Sequence, residues 1–171
     1  MSTGNMIYQV SRKYSVIYAD LPWEDEEWRN KFRIQPVQTW LAAEALALLW
    51  IPMPLLGTGL VQLADWGFDY AGTLAWKKSK DDLESPSLYG QCEFMLVGKI
   101  GCVKPPSLLR HNHYEAAGSG GNYKPQGFRR LLYGAGFLAF GESATYLDLC
   151  GAYWAESFPD YSKGQWDWLE G

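Results

Sequence analysis

Asp20, Leu21, Pro22 and Trp23 follow directly on Ser15 to Ala19, a short run of β-branched and aromatic residues. Their types suit one chemistry. The exocyclic amine of a nucleobase is a poor nucleophile, because its lone pair is delocalised into the ring. A carboxylate and an outward-turned backbone carbonyl can both accept hydrogen bonds from that NH2 and draw it towards a reactive geometry. A flat indole can stack on the base and hold it. Pro22 fixes its own φ and pushes Leu21 into an extended conformation, so the loop is expected to be tight and stiff. The same four residues also fit an ordinary strand end and turn, and both readings stay open at this point.

The elements that must position these residues are legible in outline. Ser15 to Ala19 reads as a buried strand, and the carboxyl end of a strand in an open α/β sheet is where ligands bind. A short strand is expected at Met6 to Val10. Glu24 to Arg33 is strongly charged and reads either as a solvated loop or short helix or as a gate beside the pocket. Pro36 can open a short helix running to Ala45. Ala45 to Ile51 is continuously apolar and reads as a central parallel strand. Leu55 to Trp66 has helical apolar spacing and is closed by Gly67. Phe68 to Lys78 reads as a strand, Ser79 to Gln91 as a polar loop, and Glu93 to Gly98 as a further strand. Lys104 to Asn122 is irregular. Its Arg110, His111 and His113 form a small basic patch, on either a surface loop or a lid that contacts phosphates. A helix is expected from Pro125 towards Phe140, then a strand and glycine turn at Tyr146 to Gly151, and a last strand at Gln165 to Leu169. Alternating strands and helices predict a parallel α/β sheet with crossover helices.

Asp20-Leu21-Pro22-Trp23 resembles Asp-Pro-Pro-Trp, the motif of the N6-adenine methyltransferases of the kind that makes N6-methyladenosine in messenger RNA. Phage and bacterial DNA adenine methyltransferases are relatives of those enzymes and are closest to this chain in size. Leu21 replaces the first proline of the motif, which keeps the carbonyl and gives up some rigidity. Other segments match the family in order and spacing. Leu46 to Ile51 resembles its apolar strand ending in Trp. Trp66-Gly67-Phe68 through Trp76-Lys77 resembles its Trp-Gly-aromatic and Trp-x-Lys segment. Glu93 to Gly98, with Gly101, resembles its Glu-His-x-Leu-x-Gly strand, and Lys124-Pro125 resembles the Lys-Pro of its late helix. The resemblance spans nearly the whole chain. It implies a Rossmann-like fold dependent on S-adenosylmethionine, in a circularly permuted order: the amine-binding strand comes first and the cofactor strand, Leu147 to Gly151, comes late.

The resemblance also implies roles. Asp20 and the Leu21 carbonyl would bind the target amine, Pro22 would stiffen the loop, and Trp23 would stack. Asp20, Lys124, Asp148, Gly151 and Glu170 are the residues expected at the cofactor. Lys124 also fits a solvated helix-start lysine, while Asp148 reads equally as a structural residue and Glu170 equally as a solvated glutamate. Trp23, Lys77, Arg110, His111 and His113 are those expected on the nucleic acid. The cofactor half departs from the family. Ala152-Tyr-Trp-Ala155 stands where the messenger-RNA enzymes carry an Arg and a His-Asn pair, and Trp168-Leu169-Glu170 stands where they carry Gly-Asn. Two rival readings follow: a catalytically inactive methyltransferase-like scaffold or nucleic-acid-binding subunit, and a methyltransferase for another amine.

Composition bounds these readings. The 171 residues suffice for one domain with a real core, 47% are hydrophobic, and nine Trp, eleven Tyr and seven Phe leave flat surfaces for a base or a partner. A net charge of −4 argues against a broad, non-specific nucleic-acid binder but allows a local basic path. Cys92, Cys102 and Cys150 lack metal-like spacing, and reduced thiols are expected. The chemistry implied here needs no metal. With no signal peptide and no apolar run of spanning length, a cytoplasmic protein that does not enter membranes is expected. DNA is expected ahead of RNA as substrate, with sequence choice coming from the loops over 24–35, 79–91 and 103–123 or from a partner chain, either a second copy or another subunit.

Overall fold

Strands form where β-branched, aromatic and leucine residues run together. In the computed structural model, which describes residues 13–21, 23, 26, 37–78, 92–105, 113–116, 134–149 and 165–168, they are β1 (Tyr14–Asp20), β2 (Leu41–Pro52), β3 (Asp69–Lys78), β4 (Cys92–Ile100), β5 (His113–Ala116), β6 (Thr145–Leu149) and β7 (Gln165–Trp168). All seven join one sheet in the order β5-β3-β4-β2-β1-β6-β7. β1 is parallel to β2 and β6, β6 is parallel to β7, and β3 is parallel to β5. β4 runs antiparallel to both of its neighbours, β2 and β3. The sheet is therefore mixed, not wholly parallel. The crossover from β2 to β3 leaves a slot between two strands of the same direction. β4 fills that slot in the opposite sense, as a strand returning without a helical crossover does.

The Leu56–Asp65 helix makes that crossover, and its end follows from one residue. Gly67 has φ +88°, Gly67 N–H donates to Ala64 O (2.9 Å), and Phe68 N–H donates to Leu63 O (3.0 Å). This is a Schellman closure, in which glycine takes the left-handed position without a Cβ penalty. It turns the chain straight into β3.

The long apolar run in β2 reflects burial on both faces. Ile17, Ala19, Ala47, Leu49, Ile51 and Leu96 pack on one face with Leu63, Trp66 and Phe68. Val16, Tyr18, Leu48, Trp50, Leu74, Trp76, Met95 and Tyr146 form the core of the other. A helix over 134–140 contributes Ala135, which is fully buried. Away from the site, the start of β1 is joined to the start of β6 by paired side-chain bonds. Ser15 N–H donates to Thr145 Oγ1 (3.0 Å), Thr145 N–H donates to Ser15 Oγ (3.0 Å), and Thr145 Oγ1 donates to Lys13 O (2.9 Å).

Two local expectations need correction. The helix after Pro36 is short, Val37–Trp40, and residues 41–45 already belong to β2. The register between β1 and β2 explains why: Tyr14 pairs with Leu41 and Val16 with Leu46, so the pairing absorbs the extra β2 residues as an irregularity. The irregular stretch 104–122 contains β5, which finds its partner in β3. The late helix is described only over 134–140. Its expected start at Lys124-Pro125, the strand at Met6 to Val10, nearly all of the charged segment 24–33 and the loop 79–91 lie outside the described residues. Among those residues no helix is long and apolar enough to cross a membrane. Cys92 and Cys102 are free thiols. They lie at opposite ends of β4, roughly 25–30 Å apart at ~3.3 Å per strand residue, too far to bridge.

Candidate active site

The strand order singles out one place. From β1 the chain moves to β2 on one side, whereas β6 and β7 lie on the other. β1 is thus where the direction of sheet growth changes, and the carboxyl end of a strand at such a point is where open α/β sheets bind ligands. Asp20 is the last residue of β1. It is half-buried and pairs in register with Trp50 of β2. On its other side Ala19 pairs with Leu149, the last residue of β6, so the carboxyl ends of β1 and β6 lie side by side. Strand alternation puts Asp20 on the sheet face of Val16 and Tyr18.

The loop after Asp20 differs from the stacking platform expected of it. Leu21 is buried and packs in the core beneath the Leu56–Asp65 helix, which gives this position a reason to hold leucine. Its carbonyl accepts the Trp23 N–H at 2.8 Å, closing a three-residue turn around Pro22. Trp23 is 4% exposed, and its ring belongs to the same core. Indole burial of about 150–250 Å² is worth about 4–6 kcal/mol at ~25 cal/mol/Å², which explains why the ring turns inward. Its Nε1–H donates to the Trp50 backbone carbonyl at 2.8 Å. Pro22 itself has no N–H to offer β2, and the indole supplies a donor from this loop. Pro22's own placement lies outside the described residues.

On the opposite face, Trp50 Nε1–H donates to Tyr18 Oη at 2.8 Å. Trp50 also meets Trp76 edge-on, with centroids 6.1 Å apart and planes at 75°. Beyond Trp76, Lys78 Nζ lies 5.4 Å from the indole centroid and 2.6 Å from Glu93 Oε1, with the two side chains only 16% and 13% exposed. The carboxyl edge therefore carries Asp20, a pair of buried tryptophans and a sheltered Lys–Glu pair in sequence across the sheet.

The other expected site residues divide clearly. Asp148 sits on β6, in register with Tyr18 of β1 and Trp168 of β7. Lys77 is exposed near the end of β3, three strand spacings from β1, or about 14 Å at ~4.8 Å per strand. His113 is exposed at the start of β5, opposite Ala75 and four spacings away, about 19 Å. Neither is adjacent to Asp20. Lys124, Gly151, Glu170, Arg110 and His111 lie outside the described residues. Sequence reasoning missed Tyr18 and Trp50 as partners of the site. Tyr18 carries a legible signal, two residues before Asp20 on the same strand face. Trp50 carries none, since its place opposite Asp20 depends on the register of two strands far apart in sequence.

No protein-family model matches this sequence, and no curated protein matches it.

Proposed function

We propose that this chain is an S-adenosylmethionine-dependent methyltransferase for the N6 amine of adenine in nucleic acid, with DNA ahead of RNA, on a Rossmann-like fold of permuted order. One observation carries the reading: Asp20 closes β1 at the point where sheet growth reverses, directly beside the carboxyl end of β6. A permuted chain order separates the amine-binding and cofactor strands in sequence but leaves them neighbours in the sheet. β1 and β6 stand in that relation.

The chain's donors suit the cofactor. Asp20 ends β1 and Asp148 lies on the adjoining strand, Gly151 follows three residues later in the sequence, and carboxylates favour a cationic sulfonium and ammonium. Lys124 and Glu170 complete the set that the resemblance assigns. When bound, S-adenosylmethionine supplies a methyl group already activated for transfer. The protein's own part is positioning. Asp20 and the Leu21 carbonyl each accept one hydrogen of the NH2, directing its lone pair. The Leu21 oxygen has a second lone pair besides the one given to Trp23 N–H. Asp20 then takes the proton that the methylated amine sheds. In a duplex the adenine must be flipped out to reach this edge.

A second reading, a non-catalytic scaffold, is favoured by a specific observation: the Leu21 carbonyl already has a donor and the Trp23 ring is buried. Calorimetry with S-adenosylmethionine on the wild type, Asp20→Ala and Lys124→Ala separates the two. Micromolar binding weakened in Lys124→Ala, followed by methyl transfer to adenine-containing oligonucleotides that is lost in Asp20→Ala, supports the enzyme. No binding by well-folded protein refutes the stand-alone enzyme. Parallel assays on single-stranded DNA, duplex DNA and RNA decide the substrate.

A further inference from the structure

Trp23 occupies the position at which the sequence calls for a base-stacking ring, yet its ring is in the core. We infer that Trp23 is a positioning residue: its indole N–H latches the loop after Asp20 to the backbone of β2, and so sets the direction of the Asp20 carboxylate and the Leu21 carbonyl. The inference deepens the methyltransferase reading and rests on it for its catalytic consequence.

The geometry forms a closed set of constraints. Asp20 is held on one side by its pairing with Trp50. Three residues later, Trp23 Nε1–H returns to the carbonyl of that same Trp50 at 2.8 Å, within the buried interior. Between them, Trp23 N–H bonds Leu21 O at 2.8 Å. The loop therefore leaves β1 opposite Trp50 and is tied back to Trp50, and the turn inside it directs the Leu21 carbonyl. The anchor is itself fixed: the Trp50 side chain donates to Tyr18 Oη, on the strand that ends in Asp20, and packs edge-on against Trp76. Breaking this bond inside the core would leave the Trp23 indole N–H without its acceptor, which is costly, so the latch has one strongly favoured state. Two acceptors that must meet two hydrogens of one amine need this fixity, because small displacements at a reacting centre cost large factors in rate. With 4% of its surface exposed, Trp23 has no free face for a base.

Trp23→Phe keeps an aromatic ring and removes the N–H. A second variant carries 3-benzothienylalanine at position 23, with the shape of tryptophan and sulfur in place of the N–H, for the case where Phe packs poorly. Two readouts are taken: amide hydrogen exchange at Leu21 and Trp23, or the residue replacing it, and methyl transfer kinetics on an adenine-containing oligonucleotide. The latch predicts at least tenfold faster exchange at these amides in either variant. It also predicts a kcat at least tenfold lower, with KM for the oligonucleotide within twofold of wild type. A KM raised tenfold with kcat preserved overturns the inference in favour of base stacking, and so does unchanged exchange in a folded variant. If the wild type transfers no methyl group, the methyltransferase reading fails, and the exchange measurement alone still decides the latch.

Discussion

Gly98→Ala tests whether β4 is packed as tightly between its neighbours as the structure shows. Gly98 lies two residues from the end of β4, opposite Ala47 of β2 and Tyr70 of β3. A Cβ built there falls 2.8 Å from Phe68 Cβ, 3.2 Å from Leu63 Cδ2 and 3.2 Å from Phe68 Cγ. The shortest of these contacts is to an atom fixed to the backbone, so a rotamer change cannot relieve it. Overpacking of this kind costs about 1–3 kcal/mol. With a urea m-value of ~2 kcal/mol/M the midpoint falls by about 0.5–1.5 M, and the melting temperature by about 2–12 °C at ~2–4 °C per kcal/mol. Tryptophan fluorescence reports the transition, since Trp50, Trp66 and Trp76 are all buried. The identity of the clashing atom sharpens the test. Adding Leu63→Ala removes only the lesser contact, and adding Phe68→Ala leaves Phe68 Cβ in place, so neither double variant should recover the loss beyond its own cost. A shift below ~0.5 kcal/mol in Gly98→Ala, or full rescue by Phe68→Ala, would refute the packing argument.

Two further predictions concern the edges of the same sheet. Thr145→Val keeps the side-chain shape but removes the acceptor for Ser15 N–H and the donor to Lys13 O. It should cost about 1–3 kcal/mol, read as a lowered denaturation midpoint, with S-adenosylmethionine binding unchanged because the bonds lie at the far end of β1 from Asp20. An unchanged midpoint would show that these bonds add nothing net. Lys78→Met removes an ammonium held 2.6 Å from Glu93 over the face of Trp76, both partners being mostly sheltered from solvent. The expected loss is about 1–3 kcal/mol, between the values for surface and buried pairs, and Lys78→Met/Glu93→Gln should recover part of it. Additive losses in the double variant would count against a coupled pair.

The core strands were legible in the sequence because apolar runs bounded by Pro, Gly and charge have few other uses. Ser15 to Ala19, Ala45 to Ile51, Glu93 to Gly98 and Tyr146 to Leu149 all fall in observed strands, and so does Phe68 to Lys78 apart from Phe68 itself. The crossover helix and its Gly67 stop were also set locally, by spacing and a left-handed cap. Strand direction was not legible. Nothing in Glu93 to Gly98 distinguishes a parallel from an antiparallel strand, and its sense was decided by the slot that the β2–β3 crossover left. β5 was missed because its four residues depend on β3 for pairing and have no periodicity of their own.

At the candidate site the division is the same. The residue types Asp20, Leu21, Pro22 and Trp23, and the chemistry they allow, were properties of the sequence alone. So was the expectation that a carboxylate would end a strand. Where that strand stands relative to β6, and that Trp50 faces Asp20, emerged only from strand order and register, which link residues 27 to 130 positions apart. The orientation of Trp23 was decided there as well. A tryptophan after a proline can face solvent or core, and the choice fell to the apolar core that the ring joins and to the bond its indole makes to the Trp50 carbonyl. Both are properties of the assembled sheet, and no local stretch of chain contains them.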